Sequence, residues 1–244
     1  MRNVALTLEY DGAHFYGFQV QKNRRTVQSE LELALKKLFG KKIRIATSGR
    51  TDSGVHAEAQ VVHFKTESKL ALDKILKGLN HYLPEDLAVT EIQKVPSSFH
   101  AQYSAKRKTY EYRIFNSSVR SPLKRTRTFF VPYWLNFSRM KQAARLLRGK
   151  HDFRAFEASG SRRKSAVRTI RKLDIKKTGN DIMITVEANG FLYNMVRSLV
   201  GTLIEIGRGR MPLSDLKAVL VSKNRSQIGP TSPAHGLTLK RVSY

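Results

Sequence analysis

Asp52 stands in Ser48-Gly49-Arg50-Thr51-Asp52-Ser53-Gly54-Val55-His56-Ala57, a lone carboxylate between two glycines with Arg50 two residues before it. The segment follows the alternating apolar run Ile43-Arg44-Ile45-Ala46 and precedes Val61-Val62-His63-Phe64. That context reads as a tight loop between two strands, with one carboxylate and one guanidinium held in the same turn. Such a pair suits covalent chemistry on a polyanion. Other chemistries lack their signatures. There is no phosphate-binding Walker loop and no GxGxxG. Cysteine is absent and none of the 7 histidines falls at the spacing of a zinc helix, so no metal site and no disulfide framework is expected. No serine comes with a recognisable nucleophile motif. A cofactor-free reaction resting on Asp52 is what remains, and His56 is expected to stabilise the loop rather than to titrate in it.

Charge names the polyanion. The 244 residues carry 45 Lys+Arg against 19 Asp+Glu, a formal net charge of +26, while 41% hydrophobic residues indicate a folded body. The excess is unevenly placed. Residues 1–104 hold 15 basic and 11 acidic side chains, whereas residues 105–244 hold 30 and 8, a net of +22. One charge run is usually a solvated surface, but an asymmetry over a whole half points to nucleic acid. Basic runs such as Lys106-Arg107-Lys108 and Arg162-Arg163-Lys164 are expected to grip RNA backbone, which positions without specifying sequence. Met1-Arg2-Asn3 leads directly into a strand-like segment, and no apolar run approaches the ~20 residues a membrane span needs. A cytoplasmic protein without membrane partners is expected.

The elements that must position Asp52 follow from hydrophobic period. Val4–Tyr10 reads as a strand. Thr26 caps a helix through Val27, Leu31, Leu35 and Leu38 that Gly40 stops. Lys42–Thr47 and Gln60–Lys65 read as strands flanking the Asp52 loop, Leu72–Leu83 as a helix and Leu87–Val95 as a strand. The order is βαββαβ, a ferredoxin-like α/β (α+β) arrangement. The second half repeats it. Thr109–Asn116 is a strand, and Ser138 caps a helix that ends at Gly149. Val167–Lys176 and Asp181–Ala188 form a hairpin, Leu192–Ile206 and Pro212–Val221 are helices, and Leu237–Val242 is a last strand. Two domains are therefore expected, 1–104 carrying the Asp52 loop and 105–244 strongly basic, with an insertion near 117–135. Ser159–Ser165 and Gly207–Arg210 read as loops.

Gly49-Arg50-Thr51-Asp52-Ser53-Gly54-Val55-His56-Ala57 resembles the signature of the tRNA pseudouridine synthase A family. Glu9-Tyr10-Asp11-Gly12 with Phe15-Tyr16-Gly17-Phe18-Gln19 resembles its opening, Lys108-Thr109-Tyr110-Glu111-Tyr112 its second motif, and Phe191-Leu192-Tyr193-Asn194-Met195-Val196-Arg197 with Val200-Gly201 its third. Ser53 stands where alanine is common and Thr109 where arginine is common. The resemblance spans essentially the whole chain. It implies isomerisation of uridine to pseudouridine in the tRNA anticodon stem-loop, without a cofactor and with base flipping. It also implies a pseudouridine synthase fold, in which two ferredoxin-like halves join in one mixed, mainly antiparallel sheet with a central basic cleft, as a homodimer acting on tRNA.

Under that resemblance Asp52 is the nucleophile, Arg197 its ion-pair partner, and Tyr110 the ring that stacks on the uracil and can take the C5 proton. Arg50 fills the gap left by the flipped base or holds the adjacent phosphate. The physical need is clear. A carboxylate in a water-excluding cleft loses ionisation through burial, and a guanidinium beside it restores it. Phe191–Ile206 is otherwise nearly uncharged, so an arginine within it calls for a carboxylate partner. A strand tyrosine such as Tyr110, sharing a face with Tyr112 and Ile114, also suits plain core packing. Whether Asp52 attacks C1′ or the base ring is open at this stage.

Two further readings compete. A non-catalytic RNA-binding module fits the charge, but it lacks the aromatic RRM signature and needs no glycine-bounded carboxylate. A related synthase acting outside the anticodon arm fits the loop motif less well. The charge makes one prediction for tRNA binding. The logarithm of affinity should fall with the logarithm of salt by roughly 0.7–0.9 for each phosphate contacted, and a flat salt dependence would remove the electrostatic reading.

Overall fold

The computed structural model describes residues 1–158 and 165–244, so Arg162-Arg163-Lys164 and most of the expected Ser159–Ser165 loop lie outside the described residues. The first six elements are β1 (Arg2–Tyr10), α1 (Val27–Phe39), β2 (Ala46–Thr47), β3 (His56–Thr66), α2 (Leu72–Tyr82) and β4 (Leu87–Val95). They are followed by β5 (Arg107–Asn116), β6 (Phe129–Val131), α3 (Phe137–Leu146), β7 (Gly149–Asp152), β8 (Val167–Thr178), β9 (Asp181–Ala188), α4 (Met195–Gly207), α5 (Leu213–Ser222) and β10 (Leu237–Ser243). The mixed α/β class read from the sequence is present, and the first six elements follow the βαββαβ order; in the second half β6 and β7 are added, and β10 groups with the first half. Contacts divide the chain into two units, 1–106 with 238–244, and 107–237.

In the first unit β3 and β4 flank β1, both antiparallel to it, and β2 and β10 share the other edge of β3. β10 runs parallel to β3 through Thr238 opposite His56 and Leu239 opposite Ala57, at the exit of the Asp52 loop. Helix α1 forms where expected. Thr26 accepts from the Ser29 amide and Ser29 answers with its own side chain, a capping box, while Gly40 ends the helix at φ 70°. Val27, Leu31, Ala34 and Leu35 line one stripe and are buried. Fully burying each large aliphatic side chain of this kind contributes about 1.5–3 kcal/mol. The strand expected over Lys42–Thr47 shortens to Ala46–Thr47, which alone pair with β3.

In the second unit β5, β9, β8 and β7 pair in that order, all antiparallel, and β6 adds to β5 in parallel. Several boundaries differ from expectation. Helix α3 is capped by Asn136, whose side chain accepts from the Arg139 amide, not by Ser138. It ends at Leu146, and Gly149 opens β7 instead of closing the helix. Gly-Lys-His-Asp in β7 carries no apolar alternation, so its strand character comes only from pairing with β8. Helix α4 begins at Met195 rather than Leu192, because Asn194 takes φ 58° and cannot lie within a right-handed helix. The 117–135 insertion contains β6.

Helix α4 is buried along nearly its whole surface, with Arg197 and Glu205 the residues not fully covered. The segment Gly229–Pro233 lies across it. A Cβ on Gly201 would fall 1.7 Å from the Pro230 carbonyl oxygen. Overpacking of this kind costs about 1–3 kcal/mol, so Gly201→Ala is expected to lower the urea midpoint of unfolding accordingly. An unchanged midpoint would mean that the segment is free to retreat.

Candidate active site

The Asp52 loop is built on the meeting of β1 and β3. The two strands pair as far as Tyr10 opposite Ala57. Beyond that pair the chain turns through Asp11–Phe18 and lies directly on Thr51–Val55. A Cβ on Gly12 would fall 2.1 Å from the Val55 carbonyl oxygen, so only glycine permits this approach. The Phe18 amide donates to the Thr51 carbonyl at 3.0 Å, and the Ser53 hydroxyl donates to the Phe15 carbonyl at 3.2 Å. Within the loop, the Val55 amide donates to the Asp52 carbonyl at 3.2 Å, closing a turn whose third residue, Gly54, takes φ 79°. Asp52 therefore opens a tight turn as its first residue. It is half-buried, and Arg50 is exposed.

His56 serves the loop structurally. It is 1% exposed, and its Nδ1 accepts from the Gly12 amide at 3.0 Å. Asp11 Oδ1 also stands 3.0 Å from that nitrogen, and accepts from the Ala13 amide.

Below the loop lies a buried polar layer that sequence reasoning missed. Tyr10 Oη and Thr51 Oγ1 are 2.8 Å apart. Ser48 donates to Gln60 Oε1 at 2.5 Å, and Gln60 Nε2 donates to the Gly49 carbonyl at 2.8 Å. Gln60 is completely buried in the middle of β3. Both ends of its amide are used, which offsets the cost of burying it. Tyr244, the last residue, donates to the Ala101 carbonyl at 2.9 Å and also reaches Ser48. Burial pushes the Tyr10 and Tyr244 hydroxyls well above the usual tyrosine range, more than their hydrogen bonds draw them down, so both stay protonated. The one signal available in the sequence was a glutamine directly before the apolar pair Val61-Val62.

Tyr110 and Arg197 belong to the second unit. Tyr110 lies opposite Val186 of β9, half-buried, with its ring edge-on to Phe191 at 5.1 Å between centroids. Tyr112 and Ile114, on the same face of β5, are fully buried, so core packing accounts for them and Tyr110 occupies the more open end. Arg197 is the third residue of α4. Its Nε donates to the Ser232 carbonyl at 2.8 Å and its Nη1 to Asn194 Oδ1 at 2.8 Å. Tyr112 donates to the neighbouring Pro233 carbonyl at 2.7 Å. Burial raises the Tyr112 hydroxyl far above its ordinary value, while Ser232 and the nearby Arg197 charge pull in the other direction. The structure thus brings Arg50 and Asp52 together in one loop, and ties Arg197 and Tyr112 to a single strap of backbone.

Comparison with known proteins identifies the family. A family model described as tRNA pseudouridine synthase matches residues 7–104 and 143–244. The tRNA pseudouridine synthase A of Thermoanaerobacter sp. (strain X514) is 46% identical over 244 residues, covering 100% of both chains. Its counterpart in Ruminiclostridium cellulolyticum is 44% identical over 245 residues, again covering 100% of both. That of Geobacillus kaustophilus (strain HTA426) is 42% identical over 244 residues, covering 100% of this chain and 95% of the relative. With its glycine-bounded carboxylate loop and a family match over most of its length, this chain belongs to the tRNA pseudouridine synthase family.

Proposed function

We propose that this protein isomerises uridine to pseudouridine in the anticodon stem-loop of tRNA, with Asp52 as the essential carboxylate. The observation that carries the reading is the Asp52 loop. A half-buried carboxylate opens a tight turn that backbone contacts and a buried polar layer hold in place. Family membership supplies the reaction. The C1′–N1 bond of uridine breaks, the uracil turns, and a C1′–C5 bond forms; C5 loses a proton and N1 gains one. The change is neutral overall and calls on no redox or phosphate chemistry.

Asp52 attacks as nucleophile, and Arg197 acts as the counter-ion that keeps it ionised against desolvation. Tyr110 offers its ring to the flipped uracil and its hydroxyl to the C5 proton. Arg50, exposed beside Asp52, fills the vacated stack or holds the adjacent phosphate. Flipping costs a few kcal/mol, and these contacts offset it. The protein works in the cytoplasm as a homodimer. No helix among the described residues is long and apolar enough to cross a membrane.

Two measurements test the roles. Release of tritium from tRNA carrying C5-tritiated uridine is expected to fall on the order of 10³-fold or more in Asp52→Ala, with the unfolding midpoint retained. Release by that variant at the wild-type rate would refute the role of Asp52, and no release by the wild type would favour a binding module. Tyr110→Phe keeps the ring and loses the hydroxyl. Its single-turnover rate is expected to fall by roughly 10², the lower range for proton-transfer groups. An unchanged rate would remove the hydroxyl from the chemistry.

A further inference from the structure

Two adjacent arginines in the segment leading into α1 have different surroundings. Arg25 is spent on internal pairing. Its guanidinium donates to both oxygens of Asp86 at 2.7 Å, meets Glu30 at 3.3 Å and lies over the Phe15 ring. Asp86 is the main cause holding Arg25 above the ordinary arginine range. Arg24 meets no carboxylate among the described residues. Its guanidinium instead lies over the Tyr16 ring, 4.4 Å from the centroid. Both residues are exposed, Tyr16 to 46%.

The loop carrying them is firmly built. The Tyr16 amide donates to the Arg25 carbonyl at 2.9 Å, Gln21 Nε2 donates to the Tyr16 carbonyl at 2.6 Å, and Gln21 and Arg24 form an antiparallel bridge. Its position is fixed against the catalytic loop. Gly17, next to Tyr16, takes φ 83°, and a Cβ there would stand 2.9 Å from the Thr51 carbonyl oxygen. Tyr16 is thus one residue from the backbone contact that supports Asp52.

An exposed guanidinium normally samples many orientations, and ordering it costs entropy when it binds. Stacking on a ring removes much of that freedom and leaves the planar N–H edges free to donate. That is the geometry a phosphate diester needs, because its two non-bridging oxygens accept from two parallel N–H groups. The first 104 residues are nearly balanced in charge, with 15 basic and 11 acidic side chains, so what a basic side chain does there depends on where it stands. We infer that Arg24, held flat by Tyr16, is a preorganised site for one backbone phosphate of the RNA substrate beside the Asp52 loop. The inference rests on the proposed function for the identity of the polyanion. The loop supplies affinity and register on the RNA, and takes no part in bond making.

The test is the binding of an unmodified tRNA transcript to the full-length protein between about 50 and 200 mM monovalent salt, the range over which phosphate contacts are resolved. Arg24→Ala is expected to weaken binding about tenfold and to reduce the slope of log affinity against log salt by about 1. Arg24→Lys keeps the charge and so the slope, but loses the fork, with an intermediate affinity. Tyr16→Ala is expected to weaken binding several-fold at unchanged slope, and Tyr16→Phe to restore it. Combined with Arg24→Ala, Tyr16→Ala should cost little more, because the ring acts through the guanidinium. Wild-type affinity and slope in Arg24→Ala would overturn the site, and wild-type affinity in Tyr16→Ala would overturn the part played by the ring. The binding readout is independent of turnover. A wild type that releases no tritium defeats the proposed function, whereas an active wild type with an unaltered Arg24→Ala slope defeats this inference alone.

Discussion

The close approach on which the Asp52 loop depends is that of the Gly12 backbone to the Val55 carbonyl. There is no room between them for even one carbon, and a methyl group on Gly12 would stand 2.1 Å from the oxygen. Three consequences follow from that contact. The Gly12 amide comes within 3.0 Å of His56 Nδ1, so one residue supplies both the space and the donor. Val55 is then placed to close the turn onto the Asp52 carbonyl. The third consequence reaches back into the sheet. Gly12 arrives opposite Val55 only because β1 and β3 pair with Tyr10 across from Ala57. A slip of one residue would turn every side chain of β1 to the other face, and would carry Gly12 away from the loop. The direction of Asp52 is therefore a property of sheet register.

Both units support a half-buried candidate side chain with buried hydrogen bonds. Beneath Asp52 the support is made of side chains, Tyr10, Ser48, Thr51 and Gln60, in a layer of at most 6% exposure. Around Arg197 it is made of backbone, the Ser232 and Pro233 carbonyls of a strap pressed onto α4 at Gly201. The energetic logic is the same in each. A buried donor or acceptor left unpaired costs about 1–3 kcal/mol, so each group in the layer penalises displacement of its neighbours. Side chains held in this way are ordered before any ligand arrives.

How much of this was legible depended on the range of the physics involved. The α1 boundaries could be read because Thr26, Ser29 and Gly40 act within a few residues of one another. Asp52 could be read because a carboxylate between glycines is itself a local pattern. Strand β7 could not. Gly149–Asp152 has no period, and it becomes a strand only through pairing with β8, some twenty residues later in the chain. The start of α4 was misjudged for a related reason. Phe191–Leu192 continues the apolar run, and nothing local announces that Asn194 turns left-handed. The Gln60 layer joins Tyr10, Ser48, Gln60 and Tyr244 across nearly the whole chain, a juxtaposition that tertiary structure alone creates. The partition of Arg24 and Arg25 belongs to the same class, because adjacent identical residues carry no sequence signal to tell them apart.

That partition bears on how the charge of the whole chain should be understood. Internal ion pairs use one anion for each cation, so they leave the net excess unchanged. Residues 105–244 have 30 basic side chains and 8 acidic ones; even if every acid took a base for itself, 22 bases would have none. Pairs such as Arg148 with Asp174, Lys124 with Asp181 and Arg208 with Glu205 use several of the acids already. In this region the field is set by number, and no single lysine or arginine decides it. In residues 1–104 the same count guarantees only four bases without an acid, so placement decides there. A guanidinium stacked on an exposed ring one residue from the backbone of the Asp52 loop then matters for where it stands and how it is held, while the strongly basic half supplies a long-range attraction that any polyanion would feel.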